Sequence, residues 1–300
     1  MAGERLVTQN NNCGRIGLFV ALGGRFLDIC PVAGLMRQSS DLGWVRMARR
    51  EQGQSGFAEF VKTIVYAGLI AVGIHTFLFE PFYIPSGSMV PTLLVGDYLV
   101  VNKFAYGYSH YSLPFAPDWF KGRIFGSVPK RGTVIVFRPP GEPNEDFIKR
   151  VIGLPGDTVQ VTKGQLYING KLVPRVYAGD YVDTSSGAPV VERDYTETLP
   201  GGVKHSILKL TNGPENEGGL DPNNTPVYKV PPGHLFVMGD NRDNSEDSRF
   251  LDGPVGYVPI ENVVGPAELI FFSIDLRHPF WEIWEWPFEI RWGRMFHIIR

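Results

Sequence analysis

The chain is short of cysteine, of the familiar hydrolase and zinc signatures, and of net charge. Only Cys13 and Cys30 occur in 300 residues. Neither a CxxC pair nor a Cys/His zinc pattern can be built from them. The thiol-free remainder permits an oxidising compartment, and no disulfide is expected. H-E-x-x-H is missing, as is the G-x-S-x-G nucleophile elbow. The six histidines, His75, His110, His205, His234, His278 and His297, stand in no pattern that pairs them with a serine. A formal net charge of −2 argues against nucleic acid as a partner. Long amphipathic helices are absent, whereas 35 glycines and 24 prolines punctuate the chain. That pattern predicts a loop-rich, mainly β protein without internal repeats.

One segment is apolar enough to cross a bilayer. Residues 61–79, VKTIVYAGLIAVGIHTFLF, are interrupted only by Lys62, Thr63, His75 and Thr76. As a helix this stretch is about 28 Å long, close to the hydrocarbon thickness, and Lys62 can snorkel. Arg37, Arg46, Arg49 and Arg50 precede it, and no Lys or Arg occurs between Glu80 and Asn102. The positive-inside rule places the N-terminus in the cytoplasm and everything after Glu80 outside. A second apolar stretch, residues 16–36, is broken by Arg25, Asp28 and Pro31. It reads as an interfacial segment or part of a cytoplasmic extension, not as a cleaved secretion signal.

Beyond the span, short β-branched and aromatic runs bounded by turn residues predict strands at 98–102, 133–138, 147–152, 158–161, 165–168, 235–238 and 268–274. Asn169-Gly170 is a hairpin signal. Residues 176–230 are polar and rich in Gly, Pro and Asn, which suggests a loop-heavy insert. The resulting division is a cytoplasmic extension (1–56), a membrane helix (57–80) and a catalytic β core (81–160 and 235–276). An inserted loop-rich β subdomain (161–234) and a Trp-rich tail (277–300) complete it.

Three polar stretches could carry chemistry. The first, FYIPSGSMVPTLLVGD at 82–97, places Ser86-Gly87-Ser88 on a turn after a strand, where the Ser88 N–H and the Ser86 hydroxyl could face an oxyanion. The second, DFIKRVIGLPGD at 146–157, sets Lys149 on one strand face between Phe147 and Val151, where burial would depress its pKa. The third is the polar loop GDNRDNSEDSRF at 239–250, whose Arg242 and Arg249 argue against a metal site. Taken singly, the first two read better as a plain Ser-Gly turn and a solvated edge-strand lysine than as chemistry, and the third as a calcium-type loop or a solvated turn. With no Ser/His pairing on offer, a Ser–Lys pair is the remaining nucleophile–base choice.

Together, PSGSMVPTL, FIKRVIGLPGD and GDNRDNSEDSR, in that order after a span, resemble the bacterial type I signal peptidases over about residues 57–275. The resemblance implies a membrane-bound serine endopeptidase with a β-rich core and an inserted domain. It works without a cofactor or metal and removes signal peptides from exported pre-proteins after small, Ala-x-Ala-like residues. It implies Ser88 as nucleophile and Lys149 as base, with Ser86 and Ser88 forming the oxyanion hole. Ser245 would orient the lysine, and Asp247–Arg249 and Asp240–Arg150 would be structural ion pairs. Phe82, Ile84, Met89, Leu93 and Ile148 would contact substrate. The implied partners are pre-proteins and the lipid bilayer of the bacterial cytoplasmic membrane, crossed once. The cysteine pair of well-known relatives and the second span of some are not matched here.

A general base must be neutral, and a free lysine is neutral in only about one molecule in 2,500 at pH 7. Lys149 is therefore expected to be buried with no carboxylate beside its amine. Pro81 and Pro85 remove backbone donors and mark an edge strand. The edge at residues 82, 84 and 86 is expected to receive an extended substrate. Trp281, Trp284, Trp286 and Trp292 fit either a membrane interface or ordinary packing on the core. Two other functions remain open from sequence: a Ser–Lys enzyme dedicated to itself or one partner, and a non-catalytic peptide-binding scaffold.

Overall fold

The computed structural model describes residues 55–112, 122–183, 189–210, 221–275, 284 and 286–300. Residues 1–54 of the expected cytoplasmic extension, with the 16–36 stretch, Cys13 and Cys30, and also Trp281, lie outside the described residues.

Helix α1 spans Ser55–Phe77. It is the one helix among the described residues long and apolar enough to cross a membrane, over Gly56–Ile74, and none of that window is buried. Phe60, Ile64, Tyr66, Leu69 and Val72 are all exposed, so the apolar surface runs around the helix and does not form one stripe. The helix stops before the expected end at residue 79. Pro81 cannot supply a helical N–H and disfavours helix at Glu80, so the chain is already extended at Phe79.

Strand β1 (Phe79–Tyr83) opens a mainly antiparallel sheet. Along the sheet follow β2 (Asp97–Asn102), β14 (Val263–Ser273), β3 (Val134–Phe137), β4 (Phe147–Gly153), β12 (His234–Met238) and β13 (Val258–Pro259). β15 (His297–Ile298) pairs with β14. β1 and β4 are four places apart in this order, about 19 Å in a flat sheet. A side chain of β4 nevertheless touches the turn after β1, so the sheet curls to bring them together. The inner face is filled by Ile84, Met89, Leu93, Leu99, Val101, Val136, Ile148 and Ile270. The opposite face of β3 and β4 packs Ile135, Phe137 and Val151 on Leu235, Val237 and Val258.

Two smaller sheets hold the middle of the chain. β5 (Thr158–Thr162), β6 (Gln165–Ile168), β7 (Lys171–Leu172) and β11 (Tyr228–Lys229) form one, in the order β11-β5-β6-β7. The expected boundary between residues 160 and 161 therefore falls inside β5. β8 (Arg175–Asp183), β9 (Val190–Thr198) and β10 (Lys204–Leu210) form the other. The loop-heavy expectation for 176–230 is corrected here, since three long strands occupy much of it. The inward positions of β9 are the carboxylates Glu192 and Glu197, so the apolar alternation that announces a strand is missing.

The C-terminal segment is fastened to the main sheet. Phe296 N–H donates to the Ile270 carbonyl at 2.7 Å, and Ile299 N–H to the Glu268 carbonyl at 2.9 Å. Its backbone thus packs on the core, while Trp284, Phe288, Trp292 and Phe296 remain exposed.

Candidate active site

Ser88 lies in a 3-10 turn, Gly87–Met89, directly after the edge strand, and is 8% exposed. Lys149 lies on β4 and is 4% exposed. Its Nζ donates to Ser88 Oγ at 2.6 Å. The Phe147 ring centroid is 5.8 Å from the amine on the same strand face. Burial pulls Lys149 down to about 8, opposed chiefly by the charge of Asp247. No carboxylate of the described residues forms an ion pair with it within 4 Å, so burial is left to dominate.

The polar loop supplies carboxylates whose charge is already matched. Arg150 clasps Asp240 through Nε at 2.8 Å and Nη2 at 2.6 Å. Arg249 clasps Asp247 through Nε at 2.8 Å and Nη2 at 2.9 Å. All four residues are at most 2% exposed. Burial alone would raise both carboxyl groups, but the guanidinium beside each outweighs it and holds both below the ordinary Asp value. The two ion pairs expected from the resemblance are thus brought together by the fold.

The same loop reaches the nucleophile. Asn241 N–H donates to the Ser88 carbonyl at 3.1 Å. A Cβ at Gly239 would lie 2.5 Å from that carbonyl oxygen and 2.3 Å from Ser245 Oγ, so only glycine allows this approach. Ser245 is placed differently from the expectation. Its hydroxyl donates to Asp247 Oδ2 at 2.9 Å, and no hydrogen bond joins it to Lys149. The doubly clasped Asp247 carboxylate is the stronger acceptor and holds the hydroxyl.

A cleft of about 360 Å³ opens over Ser88 and Lys149. Phe82, Ile84, Val136 and Ile148 give it an apolar floor, and Ser86 stands on its wall, exposed. Ser86 makes no capping hydrogen bond through its side chain. Glu145, Asp146 and Glu246 rim the cleft. Met89 and Leu93, expected to touch substrate, are fully buried in the core behind Ile84 and do not line it. They follow Ser88 into the inside of the turn, where apolar side chains are driven.

The free edge of β1 also differs from the expectation. Ile84 N–H donates to the Asp97 carbonyl at 2.9 Å, and Gly96 N–H to the Ile84 carbonyl at 3.0 Å. Residues 82 and 84 therefore pair inward with β2, and the open edge is that of residues 81, 83 and 85. The prolines are the reason: having no N–H, they are tolerated only on the side that need not donate to β2. Opposite, β12 pairs with β4 only from Arg150 onward, so no strand among the described residues pairs with residues 147–149 on that side. Val151 points its N–H and C=O toward the β3 side. By alternation, Ile148 turns its own into the gap.

Sequence reasoning missed several supporting residues. Glu197 on β9 makes two charge-assisted bonds with Arg242 of the polar loop, the longer at 3.0 Å. His205 on β10 lies 3.5 Å from Glu197 and 3.8 Å from Asp240. Burial lowers its pKa to about 4. Thr92 donates to Asp240 Oδ2 at 2.5 Å. No local motif announces these contacts, which join residues distant in sequence. Among the described residues, no group of three or more His, Cys, Asp or Glu is placed to hold a metal ion.

Comparison with known proteins places the chain in a family. The family described as "Signal peptidase, peptidase S26" matches residues 57–272. A signal peptidase I from Rickettsia typhi is 41% identical over 222 residues, covering 73% of this chain and 80% of that protein. One from Rickettsia bellii is 38% identical over 248 residues, covering 78% and 83%. A solved signal peptidase I from Enterococcus faecalis is 28% identical and covers 47% of this chain and 97% of its own. Its TM-score of 0.28 is too low to support an argument from shape.

Proposed function

Since this chain belongs to the signal peptidase family, peptidase S26, and is a serine peptidase of the signal peptidase I type, we propose that it removes signal peptides from exported pre-proteins with a Ser88–Lys149 dyad. The observation that carries the dyad is the 2.6 Å contact between two buried side chains, with no carboxylate paired to the amine.

In its neutral form Lys149 accepts the Ser88 proton as Oγ attacks the scissile carbonyl. The Ser88 N–H and the Ser86 hydroxyl receive the developing oxyanion. The lysine ammonium then gives its proton to the departing amine, leaving an acyl-enzyme ester. Neutral again, Lys149 takes a proton from water, whose oxygen attacks the ester. As that intermediate collapses the proton returns to Ser88, and the carboxyl product leaves. A substrate strand fits the gap between the 81/83/85 edge and residues 147–149 by β-addition. Its inward side chains meet Phe82, Ile84 and Ile148, where small residues fit best. Substrate lying over Lys149 excludes water and depresses its pKa further.

Helix α1 anchors this site in a bilayer. The basic residues before it keep residues 1–56 in the cytoplasm and place the catalytic part outside a bacterial cytoplasmic membrane. The exposed tail aromatics suit the same interface.

Cleavage of a purified pre-protein in detergent tests the reading. Wild type should cut it, whereas Ser88→Ala and Lys149→Ala, folded by circular dichroism, should not. Undiminished cleavage by either variant removes that residue from the mechanism. No cleavage by wild type would favour a dedicated-partner enzyme or a peptide-binding scaffold.

A further inference from the structure

We infer that Arg294, on the C-terminal segment, is a positioning residue for the Ser88–Lys149 pair, acting on Thr92 and Asp97. The inference rests on the dyad proposed above and extends it to a part of the chain remote in sequence from all three polar stretches.

Three residues separate Ser88 from Thr92, and this short piece is held at both ends by the polar loop. Asn241 N–H holds the Ser88 carbonyl, and Asp240 accepts the Thr92 hydroxyl. Asp240 is in turn clasped by Arg150, the neighbour of Lys149. The nucleophile segment and the base strand therefore meet at one buried carboxylate. The far side of Thr92 faces the tail. Arg294 Nη2 donates to the Thr92 carbonyl at 3.0 Å and to Asp97 Oδ2 at 2.5 Å, while its Nε reaches Asp97 Oδ1 at 3.2 Å.

Asp97 is itself a junction. It is fully buried, and its carboxylate also accepts from Ser273 Oγ at 2.6 Å and Leu94 N–H at 2.8 Å. Its backbone carbonyl accepts the N–H of Ile84, the residue that floors the cleft. Arg291, from the same tail, adds a bond to the Val95 carbonyl at 2.9 Å. One planar guanidinium thus fixes the loop at 92–97, behind the serine on one side and behind the cleft floor on the other. A lysine could neutralise Asp97, but its single amine cannot reproduce this fork. Loosening the loop displaces Ser88 Oγ relative to Lys149 Nζ, and misplacement by about 1 Å is enough to cost about 100-fold in rate.

The test is steady-state cleavage of a peptide substrate by the full-length enzyme, at a temperature where every variant is folded. Arg294→Ala should lower kcat about 10- to 100-fold with KM changed less than about threefold, and Arg294→Lys should recover part of the loss. Thr92→Val should show the same split, and the double variant should lose less than the product of the two. Arg175→Ala, which breaks the bond from Arg175 to the Gly164 carbonyl in the two smaller sheets, should leave kcat unchanged. Wild-type kcat in Arg294→Ala, with Ser88→Ala inactive in parallel, would overturn the inference and leave the dyad standing. Persistent cleavage by Ser88→Ala would instead bring down the dyad reading itself. Should Arg294→Ala not fold, Thr92→Val and Arg294→Lys decide, and wild-type kcat in both overturns the inference.

Discussion

Two lysines, Lys149 buried and Lys209 largely so, flank the polar loop and are treated in opposite ways. Lys149 meets a serine hydroxyl at 2.6 Å. Lys209, on β10, meets the buried carboxylate of Asp243 at the same distance, and Asn223 besides. Burial pulls both lysines below their ordinary value, and for both it is the largest cause. The difference is which carboxylates remain to oppose it. The loop hands Asp243 to Lys209 directly. It keeps Asp240 and Asp247 for Arg150 and Arg249, so their charge reaches Lys149 already offset. The base role proposed for Lys149 requires both burial and neighbouring carboxylates engaged elsewhere.

Four expected outcomes sharpen or break this contrast. The largest effect is on turnover. Lys149→Ala should cost about 10⁴- to 10⁶-fold in kcat, as Ser88→Ala should, whereas Lys209→Met should keep kcat within about threefold. Lys209→Met should instead lose about 3 kcal/mol in urea unfolding, because Asp243 is left buried without its partner. A comparable fall in kcat would erase the distinction between the two lysines.

Arg249→Met comes next. It strands Asp247 and should destabilise the fold by about 3–5 kcal/mol. Because Arg249 helps to depress Lys149, its removal should also move the acidic limb of the pH–rate profile to higher pH. A downward move would contradict the assignment.

His205, a third buried basic group, tests the same loop through stability. Its folded pKa of about 4 lies below the ordinary histidine value. The unfolded chain therefore binds a proton that the folded one refuses, and stability should fall as pH drops from about 6.5 toward 4, by up to about 3 kcal/mol. In His205→Leu this part of the dependence should be lost, and an unchanged slope measured by thermal melts would exclude the assignment. The smallest effect belongs to Glu246, which is exposed at the cleft rim and opposes the depression of Lys149. Glu246→Gln should lower the acidic limb by a few tenths of a unit, because solvent screens an exposed charge.

The contrast also marks what could be read from the chain beforehand. β2, β3, β4 and β12 of the main sheet are legible, because stretches such as Val134–Phe137 and Phe147–Gly153 are runs of β-branched and aromatic residues between turns, whereas the two-residue strands β13 and β15 leave no such run. Ser88 and Lys149 were legible through local patterns and a family resemblance. β8 to β10 are not, because the buried positions of β9 are Glu192 and Glu197, the latter paired with Arg242 of the polar loop, and polar residues leave no hydrophobic period. The free edge of β1 is not encoded by the prolines alone. Prolines identify an edge, but only the bond from Ile84 to Asp97 shows which side is occupied. Thr92 and Arg294 depend on contacts across the fold, which spacing along the chain does not encode.

The most direct test of the central claim is the pH dependence of kcat/KM for a peptide substrate whose own groups do not titrate between pH 6 and 10. A base must be neutral, so activity should be low in acid and rise tenfold per pH unit toward a midpoint near 8, the value that burial gives Lys149. A midpoint close to 10, the ordinary lysine range, or a limb that persists unchanged in Lys149→Ala, would show that Lys149 is not the base.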